Sequence, residues 1–391
     1  MKLSEHTYIR AAVWLCLSAA GPGLAQTQYY VTTNGSDVAA GTSWATAFAT
    51  ITRAVTVAVD GDSVCVGPGR HGTITEIAIT ESLRVWATNG PAETAVIRAN
   101  AAAMRVFSLN HAGAVVDGFT VTNGYLASEG QGAGVYLAAG ALRNSLITLN
   151  SGWGNFNANS YGSGIYMTGG LVEDCLVSNN WTGAAAGYGG LGYGGGIYMT
   201  GGTVRRCRIV ANTAKSSTGY RNGRGGGVYM TGGTIENSLI CANEGPGYGG
   251  GVVMVGANAR MFHCTVSDNT SYDDAGAGVY LTAGAVSNSI VYHNTRTFDQ
   301  AHVNLNRGGG AVDYSCTIPL QAGTGNVSAE PGFLDRAAGD YHLRPGSACL
   351  DAAAQAAGEH DVPELRPVSP SDRRTEHRLR PQAGGHGQEG Y

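Results

Sequence analysis

Charge, proline and helical rhythm are all scarce in this 391-residue chain. Asp, Glu, Lys and Arg make up 13% of it, the net charge is −4, and no basic cluster precedes residue 355, so nothing supports a nucleic-acid-binding surface. Proline numbers only 11 against 61 glycines. With so little proline and a fixed strand pattern, that glycine content marks neither a collagen-like helix nor a disordered tract. No 3.6-residue apolar period survives between 115 and 318, which excludes a helical bundle there. Beyond the N-terminus no apolar run is long enough to span a membrane. Gly-rich runs such as 187–190 are not followed by Lys-Ser/Thr or by a helix, so they are not phosphate loops.

What is present is repetition. A 17-residue phrase, G-[VI]-Y-[LM]-T-x-G-x-[VI]-x-x-[SC]-x-[IV]-x-x-N, opens at Gly134, Gly164, Gly196, Gly227, Gly251 and Gly278. It closes at Asn150, Asn180, Asn212, Asn243, Asn269 (two residues late) and Asn294. The segments between a closing Asn and the next Gly vary in length, so they leave the stack along one edge. Inside the phrase, Val135, Ile165, Ile197, Val228, Val252 and Val279 alternate with Tyr136, Tyr166, Tyr198, Tyr229, Val253 and Tyr280, a period of two that means strand, with the aliphatic column inward and the tyrosines outward. Repeats of 24 to 32 residues with several short strands and like residues in like columns read as coils of a right-handed parallel β-helix over 62–318. The closing Asn fits a stacked amide ladder at a bend where left-handed backbone is tolerated.

The ends of such a stack need covers. Trp44, Phe48, Ile51, Val55 and Val59 recur at helical spacing across 43–60, with Ser43 as N-cap, and predict a capping helix within a cap segment 26–61. Cys316 and Ile318 read as one more rung, 319–354 as a C-terminal cap region, and 355–391, dense in Pro, Arg, Glu and His, as a loose tail. Lys2 and Arg10 ahead of the apolar stretch Ala11 to Ala20 read as a signal peptide over 1–25, hence a secreted or cell-surface protein. Losing Cys16 with that signal leaves seven of eight cysteines, an odd number that argues against a full disulfide framework. Cys316 with Cys349 is the expected bridge; Cys175, Cys207 and Cys264 share an inward column with serines and are expected to pack.

Several stretches resemble a known family. Tyr29 to Val31 with Gly41–Phe48 (GTSWATAF), Gly61–Gly69 (GDSVCVGPG), the GGGVYM phrases, Glu330–Asp335 (EPGFLD) and Gly339–Asp351 (GDYHLRPGSACLD) are together similar to bacterial exported parallel β-helix proteins of the pectin-lyase-like superfamily that end in a choice-of-anchor Q region. The resemblance spans about 29 to 354. It implies an exported, often surface-associated protein, mostly without assigned chemistry. Residues 355–391 depart from the family's sorting tail, which puts anchoring in doubt.

The fold itself assigns no reaction. The catalytic candidates are Glu173, Asp174 and Arg206, as for a polysaccharide lyase or glycosidase acting on an acidic glycan. Arg143, Glu173, Arg205 and Glu236 alternate in sign down one outward column and read as an ion-pair ladder. No cofactor is expected, with Asp268, Asp273 and Asp274 as calcium candidates. The leading expectation is a non-catalytic, monomeric solenoid that binds a polysaccharide or a partner protein through aromatics. Those are Trp153, Tyr161, Trp181, Tyr188, Tyr193, Tyr220, Tyr248 and Tyr272 on the loops, flanking Tyr166, Tyr198 and Tyr229 on the strands. A purely structural or protein-adhesive solenoid is the remaining alternative.

Overall fold

The computed structural model describes residues 26–154, 158–184, 190–215, 223–272, 276–299, 301 and 303–349. The signal peptide, the tail, Tyr188, Tyr220, Asp273 and Asp274 lie outside the described residues. Most coils contribute three short strands, as in Val135–Leu137, Ala141–Arg143 and Leu146–Thr148, while Val228–Glu236 and Val252–Phe262 each run through the first two positions as one strand. The first two of every coil join an eighteen-stranded sheet and the third joins a ten-stranded one. Pairing is parallel and in register: Val135, Tyr136 and Leu137 stand opposite Ile165, Tyr166 and Met167. The molecule is therefore a β-solenoid with the core inside the coil.

Inward columns are fully enclosed. Val135, Ile165, Ile197, Val228, Val252 and Val279 have no exposed surface, nor do Val172, Val204 and Ile235 from the second strands or Ile147, Val177 and Ile209 from the third. Each such side chain stabilises the stack by about 1.5–3 kcal/mol. Corners are made by left-handed residues. Gly170 turns the first strand into the second at φ +73°, where a Cβ would stand 2.6 Å from the Gly140 carbonyl oxygen. The second turn falls on Asn144, Asp174, Arg206, Asn237, His263 and Asn288, all at positive φ, as expected of a bend, although Arg206 is not a residue that favours it.

The amide ladder is present, with one correction. The left-handed residue is the one before each closing Asn, namely Leu149, Asn179, Ala211, Ala242, Asp268 and His293. The Asn itself points inward, buried, and makes the turn tolerable by binding the backbone around it. The fifth phrase closes late because of a bulge: Met230 pairs with Met254 but Gly232 with Asn258.

Both ends carry the expected features, a helix within 43–60 and a last rung at Cys316, but differ from expectation in detail. Gln28–Val31 already pairs with Ser63–Val66, so stacking begins at 28 and not at 62. The α-helix, α1, is Ile51–Val57, and its N-cap is Thr50, whose hydroxyl accepts from the Arg53 N–H. Ser43 instead precedes a one-turn 3-10 segment, Trp44–Thr46. Asp37 sets this start by accepting the N–H groups of Ala49 and Thr50, each at 2.9 Å; Trp44 and Val59 are left exposed at the flanks. At the far end Cys316–Thr317 forms the last rung while Ile318 is exposed. A hairpin, Phe333–Asp335 with Asp340–Leu343, lies back along the stack, and Cys316 is bridged to Cys349 as expected. Among the described residues no helix is long and apolar enough to cross a membrane.

Candidate functional site

In-register pairing forces the outward tyrosines into a ladder. Ring centroids lie 5.5 Å apart for Tyr136 and Tyr166, 5.1 Å for Tyr166 and Tyr198, and 5.3 Å for Tyr198 and Tyr229, with planes within 9° of parallel. A second row runs beside it through Gln131, Tyr161, Tyr193, Arg224 and Tyr248, linked rung to rung by backbone bridges. Tyr161 stacks on Tyr193 at 5.3 Å and sets its edge against Tyr198. Tyr193 does the same to Tyr229, and Tyr248 leans on Tyr280. Arg105 covers Tyr136 at 5.0 Å, and Arg224 sits between Tyr193 and Tyr248 at 5.9 and 5.0 Å. Burial, then the neighbouring phenols, push the Tyr198 hydroxyl well above the ordinary tyrosine range. The ring faces of these tyrosines are taken up by one another and by arginine. What they offer outward is edges and hydroxyls.

The loop tryptophans are placed differently. After each closing Asn the chain runs out as Ser151–Gly154 or Trp181–Ala184 and returns as Ser160–Tyr161 or Gly192–Tyr193, each strand pairing with its counterpart one coil away. The outgoing and returning layers meet through small residues. The Ser160 hydroxyl donates to the Gly183 carbonyl at 2.8 Å, a Cβ on Gly152 would stand 2.8 Å from Ser163 Oγ, and one on Gly192 would stand 2.7 Å from Thr182 Oγ1. Trp153 and Trp181 alternate along their strands with Gly152 and Thr182, so the indoles project on the far side of this arm from Tyr161 and Tyr193. The expectation that all loop aromatics flank one face is thereby corrected: alternation counted outward from the closing Asn separates them.

On that outer face Trp153 and Trp181 are half-buried and meet edge to face, 5.4 Å apart at 78°. Gly183 lets them close together, since a Cβ there would lie 3.0–3.2 Å from atoms of both rings. Lys215 Nζ stands 5.6 Å from the Trp181 ring. Further along, Tyr272 meets the 60%-exposed Phe298 at 5.3 Å. Sequence reasoning missed Lys215, Arg105 and Arg224. Lys215 was detectable, because it stands three residues past Asn212 as Trp153 stands three past Asn150.

The charged column Asp117, Arg143, Glu173, Arg205 and Glu236 lies in register with alternating sign, and its ion pairs converge on Glu173, while Asp117 pairs with Arg84. Glu173, only 7% exposed, lies 3.2 Å from Arg143 and 2.6 Å from Arg205, and also pairs with Arg206. Arg206 holds Asp174 with two hydrogen bonds of 2.9 Å. Burial alone would raise the Glu173 carboxyl, but Arg205 and Arg206 outweigh it and hold the group below the usual carboxylate range. The structure does bring Glu173, Asp174 and Arg206 together. Both carboxylates have guanidinium partners, and Glu173, held below the usual range, has the opposite of the raised pKa that a general acid needs.

No protein-family model and no curated protein matches this chain. Solved structures do. The crystal structure of pectate lyase Pel9A superposes with a TM-score of 0.51, covering 83% of this chain and 91% of that one at 14% identity. The fold is a pectin-lyase-like parallel β-helix. A rhamnogalacturonan lyase (TM-score 0.40, 13% identity, 79% of this chain and 90% of that one) and the GH136 lacto-N-biosidase from Eubacterium ramulus (0.28, 11%, 73% and 67%) are also similar. At such identities the likeness establishes the fold alone.

Within this β-helix the remaining candidates among the described residues have structural partners. Asp268 accepts from the Tyr341 hydroxyl at 2.8 Å and pairs with Arg336, fastening the C-terminal hairpin to the stack. No group of three or more metal-ligating side chains occurs among the described residues. Cys175, Cys207 and Cys264 are buried in the serine column, each thiol facing a carbonyl two residues back, at 3.2–3.3 Å. Burial pushes the Cys264 thiol up to about 12. That suits packing and not nucleophilic work.

Proposed function

We propose that this protein is an exported, non-catalytic β-helix that binds a polysaccharide through the outer face of its loop arm. The observation that carries the reading is the edge-to-face pair Trp153–Trp181 beside Lys215. In the edge-to-face pair one ring's edge covers one face of the other, and Lys215 lies over Trp181; the remaining indole face receives the C–H side of a sugar ring while the ammonium group donates to its hydroxyl or carboxylate oxygens. The tyrosine ladder is the rigid support from which the arm projects. Export rests on Lys2, Arg10 and the apolar stretch behind them.

A second reading, glycan cleavage at Glu173, Asp174 and Arg206, is favoured by the fold shared with a pectate lyase and by Asp174, whose side chain is 43% exposed. A glycan array followed by product analysis separates the two. Binding without new reducing or unsaturated ends supports the first; turnover that disappears in Asp174→Asn supports the second. Neither binding nor turnover across acidic and neutral glycans leaves a structural or protein-adhesive role.

A further inference from the structure

The outer face of the ten-stranded sheet carries a column of its own. Leu146, Leu176, Arg208, Leu239, Thr265, Ile290 and Cys316 stand in register, coil upon coil. Their strand neighbours Ile147, Val177, Ile209 and Ile240 point into the core with no exposed surface, so alternation turns this column outward. Leu146, Leu176 and Leu239 are half-buried there, and Leu149 at the adjoining corner is 59% exposed. Leucines in line on the outside of a parallel sheet mark a face made to be covered.

The C-terminal cap already covers the far end of it. Ile290 and Leu343 pack against Tyr292, Cys316 and Cys349, and the Phe333 ring stands 6.0 Å from His293. Cys349, bridged to Cys316 of the last rung, delivers the chain to the end of the same column. From there to Leu176 is five coil steps, about 24 Å, a distance that about eight extended residues span. The segment that follows, 350–364, reads LDAAAQAAGEHDVPE. Its alanines are small enough to lie flat on leucine side chains. It also carries Asp351, Glu359, Asp361 and Glu364 and no Lys or Arg, which complements Arg208, the one charged member of the column between Leu146 and Cys316. A second copy of the chain fits less well, because Leu146 to Leu239 is a strip only about 14 Å long, far short of the ~800 Å² that each partner in a stable dimer contributes.

We propose that segment 350–364 docks along this column, its alanines on Leu176 and Leu239 and its carboxylates toward Arg208, and so extends the C-terminal cap over the outer face of the ten-stranded sheet. The contact is separate from the glycan-binding arm and stands or falls without it. The test uses the full chain with Ala357→Cys carrying a nitroxide, the five free cysteines being buried. In NMR the amides of 146–148, 176–178, 208–210 and 239–241 should broaden, while those of 28–31 and 63–66 at the opposite end should not. Exchanging the four carboxylates for amides (Asp351→Asn, Glu359→Gln, Asp361→Asn and Glu364→Gln together) should remove most of that broadening without touching the coil. No broadening, broadening spread evenly over all coils, or broadening unchanged in the amide variant would each overturn the proposal. So would broadening in isotope-labelled protein that lacks the nitroxide when nitroxide-bearing copies are added, since the occupant would then be a second copy.

Discussion

Asn180 and Asn212 are joined twice: Oδ1 of Asn212 accepts both the backbone N–H and the side-chain Nδ2 of Asn180, each at 3.0 Å. Asn212 in turn donates to the carbonyls of Val177 and Val210 and to Asn243 Oδ1. The pattern runs from Asn150 to Asn304, so each amide stitches one coil to the next inside the core.

Asn212→Ala should therefore strand the Asn180 backbone N–H in a dry interior, while Asn180 Nδ2 keeps the Ile147 and Ser178 carbonyls. The expected loss is about 3 kcal/mol, read by urea unfolding. A loss below about 0.5 kcal/mol would mean that the ladder is incidental to stability.

Glu173→Gln should destabilise by about 1–2 kcal/mol, discounted because its arginine partners are 37–47% exposed. The folded pKa of Glu173 lies below its ordinary value of 4.5, so its contribution is complete above that pH and disappears as the pH falls toward the lowered value. Stability profiles of the unaltered protein and Glu173→Gln should converge in acid; a constant gap down to pH 2 would contradict the ion-pair account.

Tyr198→Ala removes a ring stacked on both faces and should cost about 2–3 kcal/mol in thermal unfolding, with glycan affinity little changed in the fraction that stays folded. Affinity lost without any loss of stability would move the recognition surface to the tyrosine rows.

Cys349→Ser should free the C-terminal cap. The bridge spans 33 residues, for which chain entropy gives about 3–4 kcal/mol. Hydrogen exchange should show faster exchange at 333–343 and around Asp268, with the coils at 135–212 unaffected; uniform exchange across both regions would argue that the cap is not a separate unit.

The coil was readable because its signals are local and repeated: a period of two, a Gly at the first corner, an Asn at each close. The ion-pair column followed from register alone. Less legible was anything that depends on non-repeating contacts. Thr50, not Ser43, caps α1 because Asp37, thirteen residues upstream, fixes the turn, and no short-range pattern announces that. The left-handed turn residues Leu149, Ala211 and Ala242 defy propensity because the buried Asn that follows each satisfies the surrounding backbone. Tryptophans and tyrosines on the same loops separated onto two faces only once the outgoing and returning strands of the arm were seen to pack on each other.

The central claim is recognition at Trp153 and Trp181 without cleavage. Isothermal calorimetry with the glycan best retained on the array, run on the unaltered protein, Trp153→Ala, Trp181→Ala and Asp174→Asn, tests it most directly. The account predicts that each tryptophan variant loses at least about tenfold in affinity while Asp174→Asn binds as before, with no product formed by any of them. Full affinity in both tryptophan variants, or product formation that Asp174→Asn abolishes, would contradict it.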